Sequence, residues 1–330
     1  AVLANMLIGV GRSREAERYL AEALALLEAH PPEPELAFAY RMRAAVAFLD
    51  HDYRPSIGWA EKSIAVAEGL GDPVAGLPAR NLIGSALLFL DYEAGCRYLE
   101  DNMARARAAG RVETIGHAYA NLGSAACELY HLRRAARYLA EGIPFAIEHD
   151  FDRYRFYMTA WLAMTQLRLG HWADVAATAD LVLRPPGVSI PSRITALAAL
   201  GLLRARRGEP GAAEALDEAL ALTRELSSLH RVGLVRAARA EAAWLAGDGR
   251  RAVAEAAAAW ELARAKRHPW FGGELAYWMW RGGGGSAVGQ EGRGAEATEE
   301  AWLAEPFRLE MGGEWRAASA AWERLPCPYE

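Results

Sequence analysis

Four residues able to hydrogen-bond or stack on a ligand recur at one interval. Arg41, Asn81, Asn121 and Trp161 follow one another by 40 residues. His117 and Tyr157 form a second pair, about one helical turn earlier and again 40 apart. A guanidinium, two carboxamides, an imidazole, a phenol and an indole offer donors, acceptors and flat apolar faces. Such a set suits binding rather than bond cleavage. If the interval marks a structural repeat, the six residues share one face of successive helices and line a groove. The bland alternative is that residues such as Asn121 only tie adjacent helices together.

Other chemistries lack their residues. Glycoside cleavage needs two carboxylates facing one cleft, whereas the acids here are spread over turns and alternate helices. His149, Asp150 and Asp152 cluster without a second pair of ligands at helical spacing, so no metal site is assigned. Cys96, Cys127 and Cys327 are too far apart for a CxxC pair or a disulfide framework. Their sparseness points to a reducing cytoplasm, and Cys96 and Cys127 read as buried small apolar residues. There is no GxxxxGK[ST] phosphate loop and no convincing DNA-reading helix. Catalytic residues and cofactors are therefore expected to be absent from this segment. The net charge of −5 gives no basic field for nucleic acid. Arg133 with Arg134, and Arg204 with Arg206 and Arg207, fall near helix ends, where cations offset the terminal dipole. The aromatic run Trp270, Phe271, Tyr277, Trp278 and Trp280 reads as core sealing the end of an array. A docking surface is the alternative.

The elements that would position these residues are helical pairs. Residues 117–143 show the pattern best: two helices, with Gly123, Ala125 and Ala136 where they approach and Leu122, Leu132, Tyr138 and Leu139 filling the gap. Breaks at Arg12, Asp52, Asp91, His131, His171, Glu209 and Asp248 step by 40, 39, 40, 40, 38 and 39. A fixed period of this size marks a stacked helical solenoid. Seven pairs follow, at 1–10 and 14–30, 35–49 and 55–70, 78–90 and 93–109, 112–129 and 132–148, 154–169 and 172–183, 191–206 and 212–226, and 230–246 and 250–265. Pro31-Pro32 and Pro185-Pro186-Gly187 are firm terminators. Pro144 predicts a kink or an early stop. Each pair carries apolar stripes too wide for one hairpin to hide, so neighbours must cover them.

The expected architecture is all-α: a right-handed α-α superhelix of about seven to eight hairpins. Its boundaries are helical repeats over 1–281, a flexible Gly-rich insertion or linker over 282–300, and a last hairpin over 301–330, with helices at 301–311 and 314–325. Both chain ends read as cuts in a longer protein. The longest apolar runs, 83–90 and 196–203, are far shorter than the ~18 residues of a membrane span, so no membrane contact is expected.

Ala120-Asn121-Leu122-Gly123, Tyr130 to Ala135 and Tyr138-Leu139 resemble the tetratricopeptide repeat. The period exceeds the ~34 residues of the standard repeat, and HEAT-like pairs are a rival on period alone. In that family the residue matching Asn121 faces the groove and can hold a peptide backbone or carboxylate. Arg267-His268-Pro269-Trp270, Gly273 to Arg281, Gly313 to Ala318 and Trp322 to Glu330 are similar to the end of the helical region in large LuxR-type transcriptional regulators of actinobacteria. That resemblance implies an ATPase of the AAA or STAND type before the repeats and a helix-turn-helix after them. Both lie outside this chain and would be its intramolecular partners. The implied role is cytoplasmic sensing: an effector or protein partner in the groove, coupled to ATPase and DNA-binding domains, with no direct nucleic-acid contact by this segment. A stand-alone peptide-binding scaffold is the alternative, and an α/α-toroid enzyme a more distant one.

Overall fold

The computed structural model describes residues 2–9, 13–225, 228–283 and 301–329. All regular structure among them is helical, without a strand. The helices come in pairs: α1 (Val2–Gly9) with α2 (Ser13–Leu27), α3 (Pro34–Leu49) with α4 (Tyr53–Gly69), and α5 (Leu77–Leu90) with α6 (Tyr92–Ala108). Then follow α7 (Val112–Glu128) with α8 (Leu132–Glu148), and α9 (Asp152–Arg168) with α10 (Trp172–Leu183). The series continues with α11 (Ile190–Arg207) and α12 (Ala212–Leu222), then α13 (Leu229–Leu245) and α14 (Gly249–Lys266). Three shorter helices complete it: α15 (Pro269–Gly282), α16 (Glu305–Met311) and α17 (Trp315–Arg324).

The breaks fall where the period put them. Asp52, Asp91, His131, His171 and Asp248 each immediately precede the second helix of a pair, and Glu209 lies in the turn before α12. Arg12 lies outside the described residues. The local reason is capping. Asp91 and Asp248 accept the backbone N–H groups of Ala94 and Arg251, at 3.0 and 2.9 Å, relieving donors that a helix start leaves unpaired.

The helices form two units, Ala1–Ala126 with Arg137–Met158, and Cys127–Ala136 with Thr159–Glu330. In the first, α3 packs on α4 and α5, α4 on α5, and α5 on α6. In the second, α11 packs on α10, α12 and α13, and α13 on α14 and α15. Within each unit, neighbouring helices thus cover one another in chain order, which is the packing of a helical-repeat solenoid. The stretch 73–90 is apolar and long enough by composition to cross a bilayer, but more than half of it is buried as core. Its Leu77, Leu82, Ile83 and Leu88 pack inside the first unit.

Small residues set how closely the helices cross. A Cβ on Gly123 would lie 2.5 Å from the Leu139 side chain, and one on Gly84 would lie 2.5 Å from that of Leu99. Gly95 is tighter, since its Cβ would meet the backbone nitrogen of Leu88 at 2.4 Å. A rotamer change can move a leucine side chain but not a helix backbone. Gly95→Ala gains about 1 kcal/mol of helix propensity and must push α6 off α5. A net loss of about 1–3 kcal/mol is expected, read as a lower urea midpoint. An unchanged midpoint would show that this crossing is not close-packed.

One local expectation is narrowed and another corrected. Of the kink or early stop expected at Pro144, the early stop does not occur; α8 runs through to Glu148 with the proline inside it. Ala140, whose carbonyl loses its intrahelical donor there, is exposed along with Pro144, so water can satisfy it. The segment expected to be helical from 301 begins instead with a turn, and α16 starts at Glu305. Leu303 and Ala304 are buried, and the Ala304 N–H donates to the Pro269 carbonyl at 3.0 Å. That bond fixes the chain against the start of α15 and delays the helix. Most of the Gly-rich tract 282–300 lies outside the described residues.

Candidate functional site

The repeat row divides when its contacts are traced. Asn81 is fully buried: its Nδ2 donates to the Thr114 carbonyl at 2.8 Å, and its Oδ1 accepts from Asn102 Nδ2 at 2.8 Å. Asn121 Nδ2 donates to Ser85 Oγ at 2.7 Å. Both carboxamides tie one hairpin to another. Trp161 lies in the core at 1% exposure, and Tyr157 is half-buried.

The remaining two residues of the row meet. His117 stacks on Tyr154 with ring centroids 5.6 Å apart, and Tyr154 Oη lies 3.5 Å from Glu113 Oε1. The Arg153 guanidinium sits over the Tyr154 ring, 5.1 Å from its centroid. Arg41 feels the field of Glu113 and Tyr154, so α3, α7 and α9 converge here within the first unit. Burial lowers the Arg41 guanidinium, partly offset by Glu113 and Tyr154. Burial also pushes His117 down to about 4, with Arg153 and Arg41 acting in the same direction. Its imidazole is therefore neutral at pH 7, able to donate one hydrogen bond and accept another.

The second unit holds a cleft of about 890 Å³. α13 contributes Trp244, and α15 contributes Tyr277, Trp278 and Arg281. Glu310 on α16, Trp315, Trp322 and Glu323 on α17, and the strap from Pro326 to Tyr329 complete it. Gly272 and Gly273 make the arrangement possible. A Cβ on the first would lie 2.3 Å from the Trp302 ring, and one on the second 2.6 Å from that of Phe307. The ends of the wall are fixed by polar contacts. Trp322 Nε1 donates to Glu310 Oε1 at 2.5 Å. Arg206 lies 3.9 Å from the Tyr329 ring centroid while paired with Glu241 at 2.6 and 3.0 Å. Arg281 lies 4.3 Å from the Trp244 ring centroid and donates to Tyr277 Oη at 2.6 Å. Chemically this is an aromatic box whose lining includes the cation of Arg281 and two carboxylates, Glu310 and Glu323.

A buried polar cluster lies in the same unit. Glu128, 3% exposed, receives His230 Nδ1 at 2.9 Å and His268 Nε2 at 2.8 Å. The Phe271 N–H donates to His268 Nδ1 at 3.2 Å, so the His268 proton is on Nε2 and points at the carboxylate. Burial would raise the Glu128 carboxyl, but the field and hydrogen bonds of His230 and His268 hold it well below its usual value. Close by in the chain, Arg168 donates to the Cys127 carbonyl at 2.6 Å and lies 4.1 Å from the Tyr130 ring centroid. Burial pushes the Cys127 thiol up, so it stays protonated and unreactive.

No protein-family model matches the chain, and no curated protein matches it. Its candidate sites therefore stand on geometry. Sequence reasoning found His117 and Arg41 by their spacing. It read the tryptophans of 270–322 as packing, and Trp270, Phe307 and Trp322 do pack on one another. It passed over Trp244, Arg281 and Tyr329 as cleft residues, because they come from elements that no common interval relates.

Proposed function

We propose that this chain is the helical-repeat sensor region of an ATP-dependent LuxR-type transcriptional regulator. It takes a small effector and relays occupancy to ATPase and DNA-binding domains carried elsewhere in the same cytoplasmic polypeptide. The chain itself turns over no substrate in this reading. The observation that carries it is the aromatic cleft. Its volume falls in the range of small-molecule sites, and much of its wall comes from residues 273–281 and 313–329, where the sequence resembles those regulators.

Coupling requires that the effector bind one state of the region better than another. The strap supplies a route, because Pro328 lies against Gly170 and Tyr329 packs near Trp172 and Arg206. A ligand that moves the strap shifts contacts on two helical pairs, α9 with α10 and α11 with α12. The gathering of Arg41, Glu113, His117 and Arg153 favours a second reading, a scaffold that binds a charged peptide.

The full reading frame separates the two. A phosphate-loop ATPase upstream and a helix-turn-helix downstream are expected, and excision of residues 1–330 is expected to uncouple a promoter reporter from growth conditions. A reporter that responds to those conditions as before, or a frame with neither domain, would overturn the regulatory reading in favour of the scaffold.

A further inference from the structure

We propose that the cleft of the second unit takes a planar aromatic monocarboxylate, its ring among Trp244, Trp278 and Trp315 and its carboxylate on Arg281. The inference deepens the sensor reading by naming the effector's chemistry, and its biological meaning rests on that reading.

The argument begins with charge. Arg206 and Arg239, in the same unit, both hold carboxylates: Arg206 pairs with Glu241 and Arg239 with Glu255. Arg281 is half-buried in the cleft wall, and no ion pair joins it to a carboxylate among the described residues. It is nevertheless held in place, over the Trp244 ring and hydrogen-bonded to Tyr277 Oη. A guanidinium carries five N–H donors in a rigid fork, and the tyrosine takes one of them. The pre-set geometry that remains suits the two oxygens of a carboxylate, with little side-chain entropy left to lose.

The remaining walls select the rest of the ligand. Indole and phenol faces favour a flat apolar body. Trp315 is half-exposed, 53%, with its ring 6.0 Å from that of Trp280, so it can close over a guest without breaking a core. Glu310 and Glu323 oppose a second negative group, which selects a monoanion over a phosphate or a dicarboxylate. Glu310 is already engaged by Trp322 Nε1, so it is a poor anchor for a ligand cation.

The test is calorimetric titration of the chain with naphthalene-2-carboxylate and with its uncharged carboxamide. The carboxylate is expected to bind about tenfold tighter or more, the worth of one charge-assisted hydrogen bond. Arg281→Gln is expected to erase that preference and leave carboxamide binding unchanged. Trp315→Ala is expected to weaken both ligands about equally. It removes a half-exposed ring and so keeps the fold, checked by circular dichroism, even if Arg281→Gln does not. Equal affinity for the two ligands, no binding of either, or full carboxylate preference in folded Arg281→Gln would each overturn the proposal. None of these outcomes touches the promoter experiment, so the ligand assignment and the regulatory reading fail separately.

Discussion

Glu128→Ala is expected to lower the stability of the second unit by about 3–5 kcal/mol, the cost of removing one partner from a buried charged cluster. The carboxylate is 3% exposed and serves two imidazoles from elements 102 and 140 residues away in the chain. Without it, His230 and His268 lose their shared acceptor in a site where water cannot replace it. Glu128→Gln keeps the shape and one acceptor oxygen, so it is expected to cost less. The pH dependence has a definite direction. The folded-state carboxyl lies below the usual value of 4.5 that it regains on unfolding. The unfolded chain therefore binds its proton first as pH falls. The stabilisation is complete well above pH 4.5 and fades as pH drops from there toward the depressed folded value. Urea unfolding of both variants between pH 3 and pH 7, read against wild type, checks this. A gap between wild type and Glu128→Gln that stays constant below about pH 4.5 would falsify the assignment of Glu128 as the ionised centre.

The second large effect is expected at Arg206 and Glu241. The two side chains are 4% and 2% exposed and meet in a bidentate pair at 2.6 and 3.0 Å. Either alanine substitution alone leaves the partner charge buried and is expected to cost about 3–5 kcal/mol. Replacing both by apolar residues of similar volume, Arg206→Met with Glu241→Leu, is expected to recover most of that loss. A double-mutant cycle measures the coupling directly. Because the pair is dry, raising sodium chloride should barely alter it, in contrast to exposed pairs such as Arg264 with Glu261. Additive single losses, or a strong salt dependence, would show that the two charges are solvated and act independently. Arg206 also lies on the Tyr329 ring. The single variants should therefore loosen the strap and quicken quenching of the cleft tryptophans by acrylamide.

The repeat was legible because its signals are local. A break, a cap such as Asp91 and a small residue such as Gly123 each act within one hairpin, so their spacing survives in the sequence. The asparagine row shows the limit of that kind of reading. A 40-residue interval identifies equivalent positions, but a carboxamide can face a ligand or a neighbouring helix equally well. At Asn81 and Asn121 the neighbour takes the hydrogen bonds. The cleft and the Glu128 cluster were illegible for a different reason. Glu128 and His268 are 140 residues apart, and Trp244, Arg281 and Tyr329 share no interval. Packing between elements far apart in the chain brings Glu128 to His268 and Tyr329 to Arg206, while Trp244 and Arg281 meet where α13 packs on α15. At Pro144 two outcomes stayed open, because the sequence does not state which face of α8 meets water.

The strap has a consequence for how the chain is made. A solenoid of local hairpins can fold from its beginning while synthesis continues, since each pair needs only the one before it. The second unit departs from that order. Trp322 packs beside Tyr130, Pro328 against Gly170 and Tyr329 on Arg206. Those upstream residues leave the ribosome well over a hundred residues before their partners do. Until residues 322–329 emerge, the sides of Tyr130 and Trp270 that face Trp322, and the side of Trp172 that faces Tyr329, lack their cover. The cleft wall is therefore completed in a single late step, and a chain stalled short of residue 322 would hold folded repeats with an unfinished cleft.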